Sequence, residues 1–449
     1  MTQTGYEAAL EYLFSATDYE KMRRVRYNAD TFSLDRMYRL LERLGSPHRR
    51  LRTVHVAGTK GKGSTAALVH AVAMACGLTA GLYTSPHLVD IRERIRVGHD
   101  DIPPQDLAAL IEAARPHVDR MRAEADAPTF FEIFTALAFG HFSAAGVDVA
   151  VVEVGLGGRL DATNVVVPDV SVITAISLDH TLQLGETVAA IAAEKAGIVK
   201  PAVPAVSQPQ PPDAMAVVED ACRAAGAPLA LVGRDVTYTW SPAEEAGRLG
   251  CRVTVGTPGA TYGPLFVPLM GEHQAVNAAA AVAAAERCGP IAERLTPDVV
   301  REGFRQVRWA GRMEHLPGRP DMVLDGAHNR SSMERLMEAL GRHFPDRRVV
   351  IVFGSAADKD VDGMLGVLAE RVPEAPIVFT QTDNPRAAEP ADLAERFRAR
   401  GGTGGQAAGG VAGALDAAAK KAAPDGLVVV CGSLYLVGEV KARLAAAGK

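Results

Sequence analysis

The sequence predicts two α/β domains in tandem, and three observations carry that reading. Short β-rich runs alternate with Ala/Leu-rich helical stretches, and the alternation restarts near the C-terminus. The β-rich runs are nearly continuous in apolar residues, as expected for parallel strands covered by helices on both faces. The 449-residue length suits two or three domains, each able to bury its own core.

Val54-His55-Val56-Ala57 reads as the first strand and Ser64 to Cys76 as the helix after it. Val147 to Val154 (VDVAVVEV) and Val170 to Ile176 (VSVITAI) follow as strands, so the N-terminal half is a parallel sheet built from βαβ units. In the C-terminal part Met322-Val323-Leu324 precedes Asp325. Arg348 to Phe353, Ile377 to Thr380 and Leu427 to Cys431 read as further strands, with helices such as Ser331 to His343 and Ala391 to Ala399 between them. Gly and Pro interrupt two helical stretches between Cys288-Gly289-Pro290 and Leu295-Thr296-Pro297. This sets the expected domains at 1–295 and 296–449. Ser241 to Gly263 reads as a hairpin-bearing insertion. Arg400 to Gly410 (RGGTGGQAAGG) reads as a flexible low-complexity loop. No repeat of solenoid period is visible.

Composition narrows the function. With 48 Lys+Arg against 53 Asp+Glu the net charge is −5, which argues against a general nucleic-acid binder. Hydrophobic residues at 48% and charged residues at 22% argue against disorder. No apolar run is long enough for a membrane helix, and the start MTQTGYEAALEYL lacks the pattern of a secretory signal. Five scattered cysteines show no zinc spacing, so reduced thiols in a cytoplasmic protein are expected.

The strongest local signal is Gly58-Thr59-Lys60-Gly61-Lys62-Gly63-Ser64-Thr65, a Gly-rich turn between the first strand and its helix. Glycines allow backbone amides to face inward, and with the helix N-terminus they favour a polyphosphate. Lys62 would reach the β/γ-phosphates, and Ser64 or Thr65 would offer a hydroxyl to Mg²⁺. The match to GxxxxGK[ST] is imperfect, because Val56 and Gly63 replace its first Gly and its Ser/Thr. The string marks an ATP or GTP site and names no reaction; an ordinary Gly-rich turn is its competitor. Glu153 ends the strand VDVAVVEV, where ligands of an open parallel sheet collect, so it would reach a nucleotide-bound Mg²⁺ or be a solvated strand-end acid. His180, in Ser177-Leu178-Asp179-His180, would bind a metal, orient a phosphate or be structural. Lys195 lies on a helix with an apolar face, and composition alone favours an outward, snorkelling lysine.

The ordered strings GTKGKGST, YTSPHL, TFFEIFTALAF, EVGLGGRLDATN, SLDH, TVAAIAAEKAGIVK, GEHQAVNAAAA, AGRMEHL, DGAHN and DKD resemble folylpolyglutamate synthase and the bifunctional dihydrofolate synthase/folylpolyglutamate synthase, in the Mur ligase superfamily. The resemblance runs from about Tyr27 to Gly438. It implies a P-loop ATPase-like N-terminal domain and a smaller Rossmann-like C-terminal domain, with the active site in the cleft between them. By this resemblance Lys62 and the amides of Gly58 to Thr65 hold the ATP phosphates. Ser64 and Glu153 serve a first Mg²⁺, and Ser85, Glu153 and His180 a second. Lys195 falls on a lysine that family members carry as a carbamate, which reverses the snorkelling reading. Lys62, His180 and Lys195 are the expected catalytic set. Asn277 falls on an adenine-side position, and Arg312, Asp325 and His328 on positions that close over ATP. Phe131, Asp161 and Ala162 match the region where a pterin-bearing substrate docks, with core packing as the alternative for Phe131.

Two positions depart from the family strings. Lys60 stands where Asn is common, either adding a phosphate contact or facing solvent, and Arg330 stands where Pro is common. The resemblance implies a monomeric ligase. It would transfer the ATP γ-phosphoryl to a folate or pteroate carboxylate, and L-glutamate would then capture the acyl phosphate. A folylpolyglutamate synthase without the dihydropteroate activity, a peptidoglycan-precursor ligase and a non-catalytic nucleotide-binding regulator are the alternatives.

Overall fold

The structure is a computed structural model and describes residues 3–19, 32–446 and 448. Tyr27, where the family resemblance starts, lies outside the described residues. The chain divides into two compact units. One comprises Met1–Thr239, Val253–Leu265 and Val276–Val307, and the other Trp240–Arg252, Phe266–Ala275 and Arg308–Lys449.

The first unit is built on eight strands: β1 (Thr53–Ala57), β2 (Ala80–Tyr83), β3 (Ile95–Val97), β4 (Asp100–Asp101), β5 (Val149–Glu153), β6 (Val170–Ile173), β7 (Ala205–Ser207) and β8 (Leu229–Leu231). Their order is β4-β3-β2-β5-β1-β6-β7-β8. From β2 to β8 every pairing is parallel, and β3 and β4 add an antiparallel edge. Every residue of β1, β5 and β6 is buried, which is why these strands read as nearly continuous apolar runs. The β1 register sets Val56 opposite Glu153 on one side and Ala57 opposite Ile173 on the other, so three strand ends lie side by side.

Helices cover the sheet. Lys62–Ala75 follows β1 and is buried along most of its length. Phe130–Ala145 starts with a reciprocal cap: Glu132 N donates to Thr129 Oγ1 (3.2 Å) and Thr129 N to Glu132 Oε2 (2.7 Å). Its Phe130, Phe134, Phe139 and Phe142 form one core with Tyr83 and Val152. A second core gathers Ala57, Ile173, Ile191 and Val218. The Pro297–Gln306 helix also belongs to this unit, packing on Lys62–Ala75 with Val300 and Phe304 fully buried. The main division therefore falls after Val307, beyond the Gly/Pro breaks that suggested residue 295.

Three strands, β9 (Thr237–Glu245), β10 (Arg248–Gly256) and β11 (Thr261–Val267), make a separate insertion sheet in the order β11-β10-β9. It is one strand larger than the hairpin expected from Ser241 to Gly263. The second unit's sheet is β12 (Glu314–Leu316), β13 (Asp321–Leu324), β14 (Val349–Phe353), β15 (Ile377–Phe379), β16 (Gly405–Ala407) and β17 (Leu427–Cys431). Its order is β12-β13-β17-β14-β15-β16, parallel except for β12. β16 corrects the reading of Arg400–Gly410 as a loop: three of its residues pair with β15 as an edge strand. All five cysteines are free and buried. Among the described residues no helix is long and apolar enough to cross a membrane.

Candidate active site

The phosphate loop leaves β1 at Gly58, whose φ of 149° and position against Thr174 exclude any side chain: a Cβ would fall 1.9 Å from Thr174 Oγ1. The loop is stitched to the segment after β6. Thr59 N and Lys60 N donate to Ala175 O at 2.9 and 3.0 Å, and Ser177 N donates to Thr59 Oγ1 at 3.2 Å. Two amides expected to face phosphate are therefore committed inside the protein. The first helical amides, from Lys62 onward, precede the first intrahelical donor Thr65 N, which bonds Gly61 O. Those amides form the anion-facing end of the helix.

Lys62 and Glu153 meet across β1 and β5, with Nζ 3.9 Å from Oε1. Glu153 is buried, so it is not a solvated strand-end acid. Its Oε2 accepts from Ser85 N at 3.2 Å, which draws the loop after β2 to the same place. Ser64 is buried on the first turn of the helix, and the neighbouring Thr65 Oγ1 is buried with no hydrogen-bond partner. Among the described residues no three His, Cys, Asp or Glu side chains gather as a metal cluster. One carboxylate with hydroxyls beside a phosphate loop still fits Mg²⁺, which keeps waters and takes substrate phosphates as ligands.

Lys195 is buried, and the snorkelling reading from composition does not hold. Its helix, Val188–Ala196, is covered by the loop after β5. A Cβ on Gly158 would fall 2.6 Å from Glu194 O and 3.0 Å from Lys195 Cα, so only glycine lets the loop lie on the helix backbone. Arg159 N donates to Glu194 O (2.7 Å), and Arg159 also forms an ion pair with Glu194. Asn164 Nδ2 donates to both Arg159 O (3.0 Å) and Gly197 O (3.1 Å). Burial, reinforced by the Lys62 ammonium, brings the Lys195 amine down to about 7.

Lys60 neither faces solvent nor stands apart: its ammonium pairs with Asp179 Oδ2 at 2.8 Å, and both side chains are nearly buried. The other oxygen of Asp179 accepts from His180 N at 2.9 Å. His180 holds a left-handed backbone, φ 50° and ψ 39°, and its side chain is 45% exposed. Asn277 Oδ1 accepts from Gln208 Nε2 at 2.8 Å, and Gln208 Oε1 accepts from Ala175 N at 2.9 Å. Gln208 thus links the segment behind the phosphate loop to Asn277. Nothing in the local sequence singled it out.

The three expected substrate residues fare differently. The ring of Phe131 lies over Gly155 and 6.2 Å from Tyr83, on the margin of the aromatic core. Ala162 is buried in that core. Asp161 is buried and engaged as an acceptor: Oδ2 takes Leu156 N (2.9 Å), and Oδ1 takes Thr163 N (3.0 Å) and Thr163 Oγ1 (2.5 Å). Thr163 Oγ1 also contacts His55 Nε2 at 2.8 Å, and burial lowers His55 to about 3, so the ring is neutral. Asp161 organises the loop that backs Phe131.

In the second unit, Asp325 bridges two turns. Its Oδ2 accepts from Met313 N and its Oδ1 from Ala327 N, both at 2.8 Å. Gly326 N donates to Gly311 O (2.9 Å), and Arg312 Nη1 donates to the same carbonyl at 3.1 Å. His328 Nδ1 lies 2.8 Å from Gly326 O, a contact that makes Nδ1 the donor. Arg312, Asp325 and His328 are thus one local cluster at the carboxyl end of β13.

A phosphate loop on one parallel sheet and a second parallel-sheet unit with its own polar cluster define a Mur ligase. The Mur ligase middle domain model matches residues 56–285, and the Mur ligase glutamate ligase domain model matches residues 311–434. The chain is 35% identical to the dihydrofolate synthase/folylpolyglutamate synthase of Bacillus subtilis, over 92% of this chain and 94% of that one. It superposes on the folylpolyglutamate synthase of Mycobacterium tuberculosis, solved with ADP and AMPPCP, with a TM-score of 0.88 and 33% identity over 99% of both chains. The chain belongs to the folylpolyglutamate synthase/dihydrofolate synthase family. It is also 38% identical, over 97% of its length, to a probable bifunctional folylpolyglutamate synthase/dihydropteroate synthase of Haloferax volcanii, and spans about half the length of that relative.

Proposed function

We propose that the protein is an ATP-dependent ligase that joins L-glutamate to a folate or pteroate carboxylate through an acyl phosphate. The observation that carries this reading is the meeting of Lys62, Glu153 and the Ser85 loop at the phosphate-loop edge of one sheet, with the buried Lys195 in electrostatic range of Lys62. The fit to a relative solved with ADP and AMPPCP supports ATP as the nucleotide.

A carboxylate does not condense with an amine near neutral pH, because its leaving group is poor. Transfer of the γ-phosphoryl forms a carboxylate O–P bond, breaks the bond to the β-phosphate oxygen and releases ADP. The glutamate amine then attacks the acyl carbon. The C–O bond to phosphate breaks, the amine loses a proton, and amide and inorganic phosphate result. The protein's part is positioning and charge neutralisation. Lys62 and the helix amides hold the phosphates in line. Glu153 and Ser64 would hold one Mg²⁺, and Ser85, Glu153 and His180 a second; when bound, the ions neutralise charge on the transferring phosphoryl group. Asn277 is assigned to the adenine, Arg312, Asp325 and His328 to the nucleotide, and Phe131 to the pterin, with Asp161 and Ala162 behind it.

Lys195 is assigned a carbamate. An amine near 7 is substantially neutral at physiological pH, and only neutral amine adds CO₂, giving a carbamate and a proton. The product is a carboxylate on a long arm, able to sit beside phosphate and Mg²⁺ ligands where an ammonium would compete. Five buried free cysteines support a cytoplasmic, reduced setting.

The deciding experiment is ADP release by purified protein given ATP, Mg²⁺, L-glutamate and either dihydropteroate or tetrahydrofolate. Release dependent on both acids supports the bifunctional reading, and release with tetrahydrofolate alone leaves polyglutamylation only. No release with either acid removes the proposal.

A further inference from the structure

We infer that Asp179 is a positioning residue that sets Lys60 in the phosphate loop and the His180 backbone through one carboxylate. The inference rests on the ATP-ligase reading above for its kinetic consequence, but the geometry stands by itself. Oδ2 takes the Lys60 ammonium at 2.8 Å and Oδ1 takes the His180 amide at 2.9 Å. The two side chains of the ion pair are only 13% and 12% exposed. A pair so shielded is not the loosely held kind found on surfaces, and removing one partner strands the other's charge.

The same two segments are joined lower down, where Thr59 N and Lys60 N bond Ala175 O and the Thr59 hydroxyl meets Ser177. Asp179 adds the last cross-link, at the point where the chain must enter a left-handed residue. A non-glycine residue at φ 50° is strained and persists only where its surroundings hold it. Here the holding group is the side chain immediately before it. His180 O in turn accepts Gln183 N and Leu184 N, both at 2.9 Å, so the short Thr181–Leu184 helix starts from the residue Asp179 fixes. A displacement of the phosphate loop is thereby a displacement of the His180 ring. The buried Lys195 lies within electrostatic range of both Asp179 and Lys60, and His180 Nε2 lies 3.9 Å from Asp179 Oδ1.

The test is a kinetic cycle on Lys60→Met, Asp179→Asn and the double variant, with Lys60→Arg as the conservative control. Wild-type ADP release is measured first. If it is absent, the ligase reading fails, and amide hydrogen exchange at residues 180–184 still reads the inference. With turnover present, each single variant is expected to lose roughly ten- to a hundredfold in kcat, the scale of a catalytic group displaced by about 1 Å. KM for glutamate should stay within about threefold. The double variant should be no slower than the slower single, and Lys60→Arg should recover most of kcat. Exchange at 180–184 should quicken in Lys60→Met as well as in Asp179→Asn. Additive losses, a wild-type kcat in Asp179→Asn, or unchanged exchange in Lys60→Met would each overturn it. So would a raised Mg²⁺ requirement with kcat unchanged, because Asp179 would then be acting on the ion itself.

Discussion

Lys62 and Lys195 show how two lysines in one site acquire opposite properties. Lys62 has a carboxylate neighbour, Glu153, 3.9 Å from its Nζ. Lys62→Ala is expected to lower kcat about 10²–10³-fold, the range for removing one preorganised electrostatic donor; a loss under tenfold in steady-state ADP release would assign phosphate binding to the helix amides instead. Lys195 is buried beside cations, and its amine sits near 7 rather than at the ordinary 10.5. Between those two values the unfolded chain holds the extra proton, so the Lys195 contribution to stability rises with pH across that window. Below about 7 both states are protonated, and the native state bears the full burial penalty. In CO₂-free buffer, urea unfolding at pH 7 and pH 9 should therefore show wild type gaining on Lys195→Met as pH rises. A difference that does not change with pH would mean that the native amine keeps its ordinary 10.5 and is well solvated. The phosphate loop was legible in sequence because strand, glycines, lysine and helix follow one another along the chain. The burial of Lys195 was not, because the group that covers it is a loop some thirty residues earlier, invisible to helix periodicity.

The loop after β5 and the Val188–Ala196 helix act as one piece, and Asn164 joins them. Its single amide nitrogen serves two carbonyls, one on each partner. Asn164→Leu keeps the volume and removes the donor, leaving the part-buried Arg159 O and Gly197 O without it. A loss of about 1 kcal/mol in urea unfolding is expected, the net worth of a typical intramolecular hydrogen bond. An unchanged midpoint would show that water reaches both carbonyls. The strand elements themselves were readable, since β14 and β17 are apolar throughout and β1, β5 and β6 are apolar at most positions. β16 was not, because Gly405-Gln406-Ala407 carries no apolar pattern and pairs with β15 at the sheet edge. Asn164 and Gln208 escaped for a related reason: each works by hydrogen bonds to backbone or amide groups distant in sequence, and a polar residue in a loop advertises none of that.

On the scale of the molecule, the chain does not finish one unit before starting the next. Trp240–Arg252 and Phe266–Ala275 belong with the C-terminal residues, although they lie within the span matched by the middle-domain model. Met270 is the clearest case, being fully buried in the core that also holds Met333, Leu365 and Phe353, with Leu249 packed against the same cluster. The first unit has separate cores around Phe134 and Ile173. Units with their own cores can unfold as separate cooperative steps, and a core substitution should report which step its residue belongs to. Met270→Ala and Leu365→Ala are each expected to lose about 2–5 kcal/mol, the usual range for truncating a buried side chain of that size. In calorimetry both should lower the same transition, while Phe134→Ala lowers the other. The position of Met270 in the chain, ahead of the Pro297–Gln306 helix that stays with the first unit, makes the contrast sharp. If Met270→Ala moved with Phe134→Ala, the packing of residue 270 into the C-terminal core would be wrong, and a boundary near residue 295 would regain its case.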